Sequence, residues 1–184
     1  MASFGLGRGG NVNTQATGTT TTSAAMDAST PYVAAAEGNL QLLQESLRDV
    51  SVTSFKDEQS YTLLQAAASY GQIEILQYLL SQLDRDNNTN TFSSSSMSYI
   101  NTADKDGDTA LHYAYTAETA RLLVEQAHIN IHAVNAEGRT ALEDKQHELQ
   151  VYLEEEEDLE DDDEEAEILR ALIQYLSSLS SQSS

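Results

Sequence analysis

The sequence predicts an all-α solenoid of about four helix-pair repeats joined by hairpins. Three observations predict it. First, a short signature recurs at near-fixed spacing. Ser29 of STPYVAAAEG stands 33 residues before Thr62 of TLLQAAASYG, Thr62 stands 47 before Thr109 of TALHYAYTA, and Thr109 stands 31 before Thr140 of TALEDKQHE. Second, alanine runs followed by glycine (Gly38, Gly71) suit short inner helices that approach their neighbours closely and then turn. Third, Leu and Ile follow at helical spacing, as the apolar stripe of an outer helix requires.

Taken in order, residues 1 to about 26 are Gly, Thr, Ala and Asn with little to bury, and they read as a disordered tail in which GLGRGG is linker. The repeat domain spans 27–179. Its first repeat, about 29–61, opens on polar capping residues before Pro31, which suits a first helical turn. Val33, Ala34 and Ala35 form the inner helix, Gly38 and Asn39 turn the chain, and Leu40, Leu42, Leu43 and Leu47 line the outer one. The second, 62–108, repeats this with Ala66 to Ala68, Gly71, and the stripe Ile73, Ile75, Leu76, Leu79, Leu80. A polar insert, 84–98 (DRDNNTNTFSSSSMS), then reads as a flexible loop. From Tyr99 to Asp108 the chain reads as a hairpin with Gly107 where the turn needs positive φ; Ser60 and Gly138 hold that place in the other two hairpins.

The third repeat, 109–139, has no glycine between its helices and is about three residues short there, so the spacing predicts a tighter turn. The fourth, 140–179, is split. Thr140 to Leu153 reads as the inner helix, and Ala166 to Leu179 as the outer one, with Ile168, Leu169, Leu172, Ile173 and Leu176 on one face. Between them lies an acidic insert, and residues 180–184 are a Ser-rich end.

The charge is −21, from 30 acidic residues against 9 Lys and Arg. Much of the excess is that insert: of the 14 residues 154–167, all but Leu159 and Ala166 are Asp or Glu. The run Glu154, Glu155, Glu156, Glu157, Asp158, Glu160, Asp161, Asp162, Asp163, Glu164 and Glu165 is either a solvated, solubilising loop or a strip that captures a strongly basic protein. Nucleic acid is a poor direct partner, because phosphates need cationic contacts. The chain has no cysteine, the N-terminal stretch has no apolar run of the kind a secretory signal needs, and no stretch approaches the roughly 20 apolar residues of a membrane span. These features predict a cytoplasmic or nuclear protein, monomeric when free.

Nothing in the chain reads as catalytic, and no cofactor is expected. Glu125, His128 and His132 have some of the residue types of a metal site, but IHAVNAEG reads as hairpin, which breaks the shared helical face that i, i+4 ligation needs. Asp104, Asp106 and Gly107 echo a calcium loop whose twelfth place holds Tyr113 instead of the bidentate Glu.

The signature Thr109-Ala110-Leu111-His112-x-Ala114, with Thr140-Ala141-Leu142 and Thr62-Leu63-Leu64 as looser copies, resembles the ankyrin-repeat family. The resemblance implies a gently curved stack that binds other proteins through hairpin tips and the exposed surface of inner helices. It also implies that His112 makes backbone hydrogen bonds near a hairpin. Carried onto this sequence, the hairpin positions are Lys56, Glu58, Gln59 and Tyr61, then Ala103, Lys105, Asp106 and Asp108, then Val134, Ala136, Glu137 and Arg139. The inner-helix positions are Ala36, Glu37, Ser69, Tyr70, Thr116 and Ala117. The expected function is a non-enzymatic adaptor or scaffold. A small repeat domain with an acidic C-terminal segment is also similar in layout to ankyrin-type chaperones of ribosomal proteins, so an escort for a basic client is the alternative; a regulatory subunit that blocks an enzyme is a further one.

Overall fold

Eight helices follow one another in the computed structural model, which describes residues 30–83, 91–155 and 163–180. They are α1 (Thr30–Glu37), α2 (Leu40–Ser46), α3 (Leu63–Ser69), α4 (Ile73–Ser81), α5 (Ser94–Ile100), α6 (Ala117–Glu125), α7 (Ala141–Glu155) and α8 (Glu164–Ser180). Helices α1, α3 and α7 form the inner layer and α2, α4, α6 and α8 the outer layer. α1 packs on α2 and α3, α3 on α4, α4 on α6, α6 on α8, and α7 on α8. Among the described residues the only β pairings are two isolated bridges at hairpin bases, Lys56 with Thr62 and Val134 with Thr140.

Local chemistry accounts for most of these elements. Thr62 caps α3 by accepting the Gln65 N–H, while the Gln65 side chain accepts the Thr62 N–H, a reciprocal capping box. Thr116 caps α6 and Asn39 caps α2 with the single side-chain bond alone. Ala34, Ala35, Ala66, Ala67 and Ala68 are at most 2% exposed, so their small side chains set how closely α1 and α3 approach. Leu43, Leu76, Leu79, Leu123 and Leu172 are fully buried beneath the outer layer, each contributing roughly 1.5–3 kcal/mol by leaving water.

The residue three places after each repeat opening staples that repeat to the next. Tyr32 donates to the carbonyl of Tyr61 (3.4 Å), Gln65 to that of Asp108 (2.7 Å), and His112 Nε2 to that of Arg139 (3.1 Å). Each acceptor immediately precedes the next opening threonine. His112 Nδ1 takes the Thr109 N–H (3.2 Å), so the ring hydrogen sits on Nε2, where it is needed for the staple. Glu143 holds the same place in the last repeat, yet it only accepts, from the Thr140 N–H and hydroxyl at 2.8 Å each. A carboxylate has no hydrogen to hand forward, and the series ends with it.

Two elements differ from the sequence expectation. The insert read as a loop over 84–98 carries a helix in its described part, Thr91 to Ser98: Phe92 is buried, Ser93 caps α5 by accepting the Ser96 N–H, and α5 packs on a 3-10 turn at Val52–Ser54. The serines conceal the apolar signal, because the buried anchors of this piece, Phe92, Tyr99 and Ile100, lie at its two ends. Residues 84–90 lie outside the described part. Tyr99, expected in a hairpin, is thereby a core residue at 2% exposure. Likewise, the third repeat has no inner helix. Thr109 to Tyr113 make a single turn, after which the Tyr115 N–H donates to the Ala68 carbonyl at the end of α3 (3.1 Å). With three residues missing, the chain crosses directly to α6 and closes α3 on the way.

Lys145 shows the same economy. It stands five residues after Thr140, where the earlier repeats place Ala34, Ala67 and Ala114, all 0% exposed. It is buried to 8% exposure, with its ammonium on Glu148 at 2.7 Å. The first and second repeats have no room for such a stem.

Candidate functional site

The three hairpins share one construction. Asp57, Asp104 and Asn135 each accept backbone N–H groups from their own turn through Oδ1. Asp57 takes those of Gln59 and Tyr61 (both 2.8 Å), Asp104 those of Asp106 and Asp108 (3.0 and 2.9 Å), and Asn135 that of Arg139 (3.0 Å). Ser60, Gly107 and Gly138 follow with φ of 65°, 82° and 76°. The hairpins are laced side by side, Lys105 N–H to Gln59 O (2.9 Å) and Ala136 N–H to Asp106 O (2.8 Å). They therefore form one continuous, rigid rim.

Behind the rim runs a line of aromatic rings. Tyr32 stacks on Tyr61 with centroids 6.4 Å apart, and Tyr61 meets Tyr113 edge-to-face at 5.3 Å. The Ser69 hydroxyl donates to the Gln65 carbonyl, so Tyr61 donates to Ser69 (3.1 Å). Tyr113 donates to Asp104 Oδ2 at 2.7 Å. Between the first two hairpins the rim opens into a shallow cleft of about 220 Å³, lined by Tyr61 and Tyr113, by Asp57, Asp104 and Asp106, and by Gln59 and Lys105. Tyr70 and Tyr115 stand nearby at 63% and 43% exposure, large aromatic surfaces of the kind that dominate protein interfaces.

The positions expected to bind thus separate. Glu58, Gln59, Lys105, Asp106, Tyr70 and Glu137 are exposed, and so is Lys56, whose ammonium lies 6.0 Å from the Tyr99 ring. Tyr61 and Ser69 are half-buried behind the rim. The remaining three serve the fold. Asp108 is half-buried and takes an Asn135 amide hydrogen (3.0 Å), and burial pushes its carboxyl above the usual carboxylate range. Arg139 is tied to Asp144 at 2.9 Å, and Thr116 is a helix cap. Asp57, Asp104, Tyr113 and Tyr115 complete the surface and were absent from the sequence expectation. The hairpin acids had a signal, since Asp57, Asp104 and Asn135 share one place in the repeat; Tyr115 had none, because its exposure follows from the missing third inner helix.

The acidic run is divided between the two last helices. Glu154 and Glu155 end α7. Asp163 accepts the Ala166 N–H (3.0 Å) and the Tyr152 hydroxyl (3.0 Å), which holds its carboxyl below the ordinary value, and Glu164 and Glu165 stand in the first turn of α8. Carboxylates at the start of α8 complement its dipole, whereas those ending α7 oppose theirs. Glu156, Glu157, Asp158, Glu160, Asp161 and Asp162 lie outside the described residues. Helix α7 starts at the third hairpin and is about 22 Å long, so its acidic end at Glu154 and Glu155 lies a helix length from the rim.

Burial raises five phenols above the ordinary value of 10, with Tyr32 pushed up to about 12 and Tyr61, Tyr99, Tyr113 and Tyr175 also raised. At Tyr113 the bond to Asp104 adds to burial. A phenol whose folded value is raised stabilises the fold fully below pH 10 and loses that contribution as the pH climbs toward the folded value. Heating monitored by circular dichroism is therefore expected to show a melting temperature that falls steeply above pH 10, with the absorbance of these five phenolates appearing together with unfolding. A gradual phenolate titration of all nine tyrosines below the unfolding pH would contradict it.

Repeated helix pairs, stapled in register and presenting a laced rim of hairpins, define an interaction solenoid. A family model described as ankyrin repeats (3 copies) matches residues 31–130, more than half of the chain, and the protein belongs to the ankyrin-repeat family, whose repeats are protein-interaction modules. Among solved structures it is similar to the ankyrin-repeat chaperone Yar1 in the crystal structure of the yeast ribosomal protein Rps3 in complex with its chaperone Yar1. That likeness has 25% identity and a TM-score of 0.56, and it covers 74% of this chain and 97% of the other. A search of curated proteins returns no match. Among the described residues, no helix is long and apolar enough to cross a membrane.

Proposed function

We propose that this protein is a non-enzymatic escort for a strongly basic client of the ribosomal-protein or histone type, held through the hairpin rim and inner-layer surface while the acidic run adds long-range attraction. One observation carries the reading. The rim cleft and the C-terminal run place carboxylates at two separated parts of the same chain, whose net charge is −21. Such a field speeds encounter with a cationic partner and competes with nucleic acid for it. The likeness to a ribosomal-protein chaperone supports this reading. On it, the protein works in the cytoplasm or nucleus, is monomeric when free, and needs no cofactor.

The test is capture of ribosomal proteins stripped from ribosomes by high salt, using the purified full chain on a resin. Retention at low salt and release as the Debye length falls from about 10 Å at 0.1 M to about 3 Å at 1 M is the expected result. Failure to retain any basic protein at low salt overturns the reading in favour of a plain adaptor.

A further inference from the structure

We propose that the cleft between the first and second hairpins seats an arginine side chain of the client. This deepens the reading of the chain as a binder of basic proteins and rests on it. The cleft is an open concavity of about 220 Å³ as well as a set of charges: two tyrosines and three aspartates line it together. One oxygen of Asp57 is occupied by the N–H groups of its own turn, and its other oxygen has no partner among the described residues; neither oxygen of Asp106 has one. Asp104 is fixed by two N–H groups and by the Tyr113 hydroxyl, so it cannot swing away to solvent.

A guanidinium matches this arrangement better than an ammonium. It is planar and weakly hydrated, it lies flat on an aromatic ring, and its fork of N–H donors reaches separate carboxylates. Lys105, also in the lining, supplies a single positive charge against three negative ones and forms no ion pair with them among the described residues. The cleft thus retains a net charge of −2 for an incoming cation (3 carboxylates less 1 ammonium).

Two variants test this in the full chain. The triple Asp57→Asn, Asp104→Asn, Asp106→Asn removes the charge but keeps the turn acceptors, since Asn135 naturally does the same work in the third hairpin. Lys105→Ala removes the competing cation without touching a carboxylate. The probe is a fluorescein-labelled octapeptide of alternating Arg and Ser, with its Lys counterpart for comparison, read by fluorescence anisotropy. A control triple, Glu154→Gln, Glu155→Gln, Glu164→Gln, removes equal charge from the acidic run. The expected result is that the hairpin triple weakens the Arg peptide about tenfold or more, the control triple less, and Lys105→Ala tightens it. Equal losses in the two triples, equal affinity for the Lys peptide, or no gain from Lys105→Ala each overturn the proposal. If the hairpin triple still captures stripped ribosomal proteins with undiminished affinity, the cleft proposal fails and the escort reading stands. If the parent chain captures none, the escort reading itself fails.

Discussion

Replacing Tyr99 by alanine is expected to destabilise the protein by about 3–5 kcal/mol, a large part of the roughly 5–15 kcal/mol that holds a domain folded. Tyr99 is 2% exposed and anchors α5 on the 3-10 turn that follows the first helix pair. Truncation leaves a ring-sized cavity between the first hairpin and the segment leading into the second. The phenol hydroxyl contributes less to this than the ring, because its bond to the Phe55 carbonyl is long at 3.4 Å and its further partners are the Leu63 N–H and the Thr62 side chain, which remain close to other polar groups. Tyr99→Phe should therefore cost less than about 1 kcal/mol. In a solenoid, stability is carried by contacts between neighbouring repeats, so the alanine variant should also unfold less cooperatively. Urea denaturation of the two variants makes the comparison. A loss below about 1 kcal/mol for Tyr99→Ala would show that α5 is peripheral and that the insert behaves as the loop its composition suggests.

Gly107→Ala and Gly138→Ala form the second pair, and their costs should differ about twofold although both glycines have the same backbone conformation, with φ of 82° and 76°. At either place a side chain costs about 1–2 kcal/mol for left-handed backbone alone. At Gly138 nothing lies within 4 Å of the added carbon, and the cost ends there. At Gly107 the carbon would lie 2.8 Å from the Ala136 nitrogen and the Asn135 Cα, backbone atoms that cannot turn aside. The second and third hairpins must then separate, weakening the bond from the Ala136 N–H to the Asp106 carbonyl and adding about 1–3 kcal/mol for the polar groups left unpaired. Because that bond is part of the rim, Gly107→Ala should also weaken client capture, whereas Gly138→Ala should leave it near the parent value. Thermal melts and capture assays on both variants check this, and equal destabilisation would refute the lacing of the rim.

Much of the fold was legible because it is built from interactions within about four residues. Thr62 opens the helix that follows it, Ser60 and Gly107 turn the hairpins, and His112 bonds the Thr109 backbone three residues away. What misled was composition. The serines of α5 look like loop, although Phe92 and Tyr99 at its two ends anchor it, and TALHYAYT looks like a helix although three missing residues reduce it to one turn.

The candidate surface was half legible. Lys105, Asp106 and Tyr70 stand where the repeat pattern leaves side chains free, and they are exposed. Asp108 and Arg139 hold equivalent places but are drawn into the fold by Asn135 and Asp144, partners that only the stacking of one hairpin on the next brings within reach. Sequence alone determined the repeat order, the hairpin turns and the acidic character of the chain, because each of these is a property of neighbours along the chain. Tertiary structure alone decided which hairpin side chains remain available and that Tyr61, Tyr113 and three aspartates share a cleft. Those facts depend on residues one repeat apart, such as Gln65 with Asp108 across 43 positions and His112 with Arg139 across 27, and the chain order does not state how such distant residues meet.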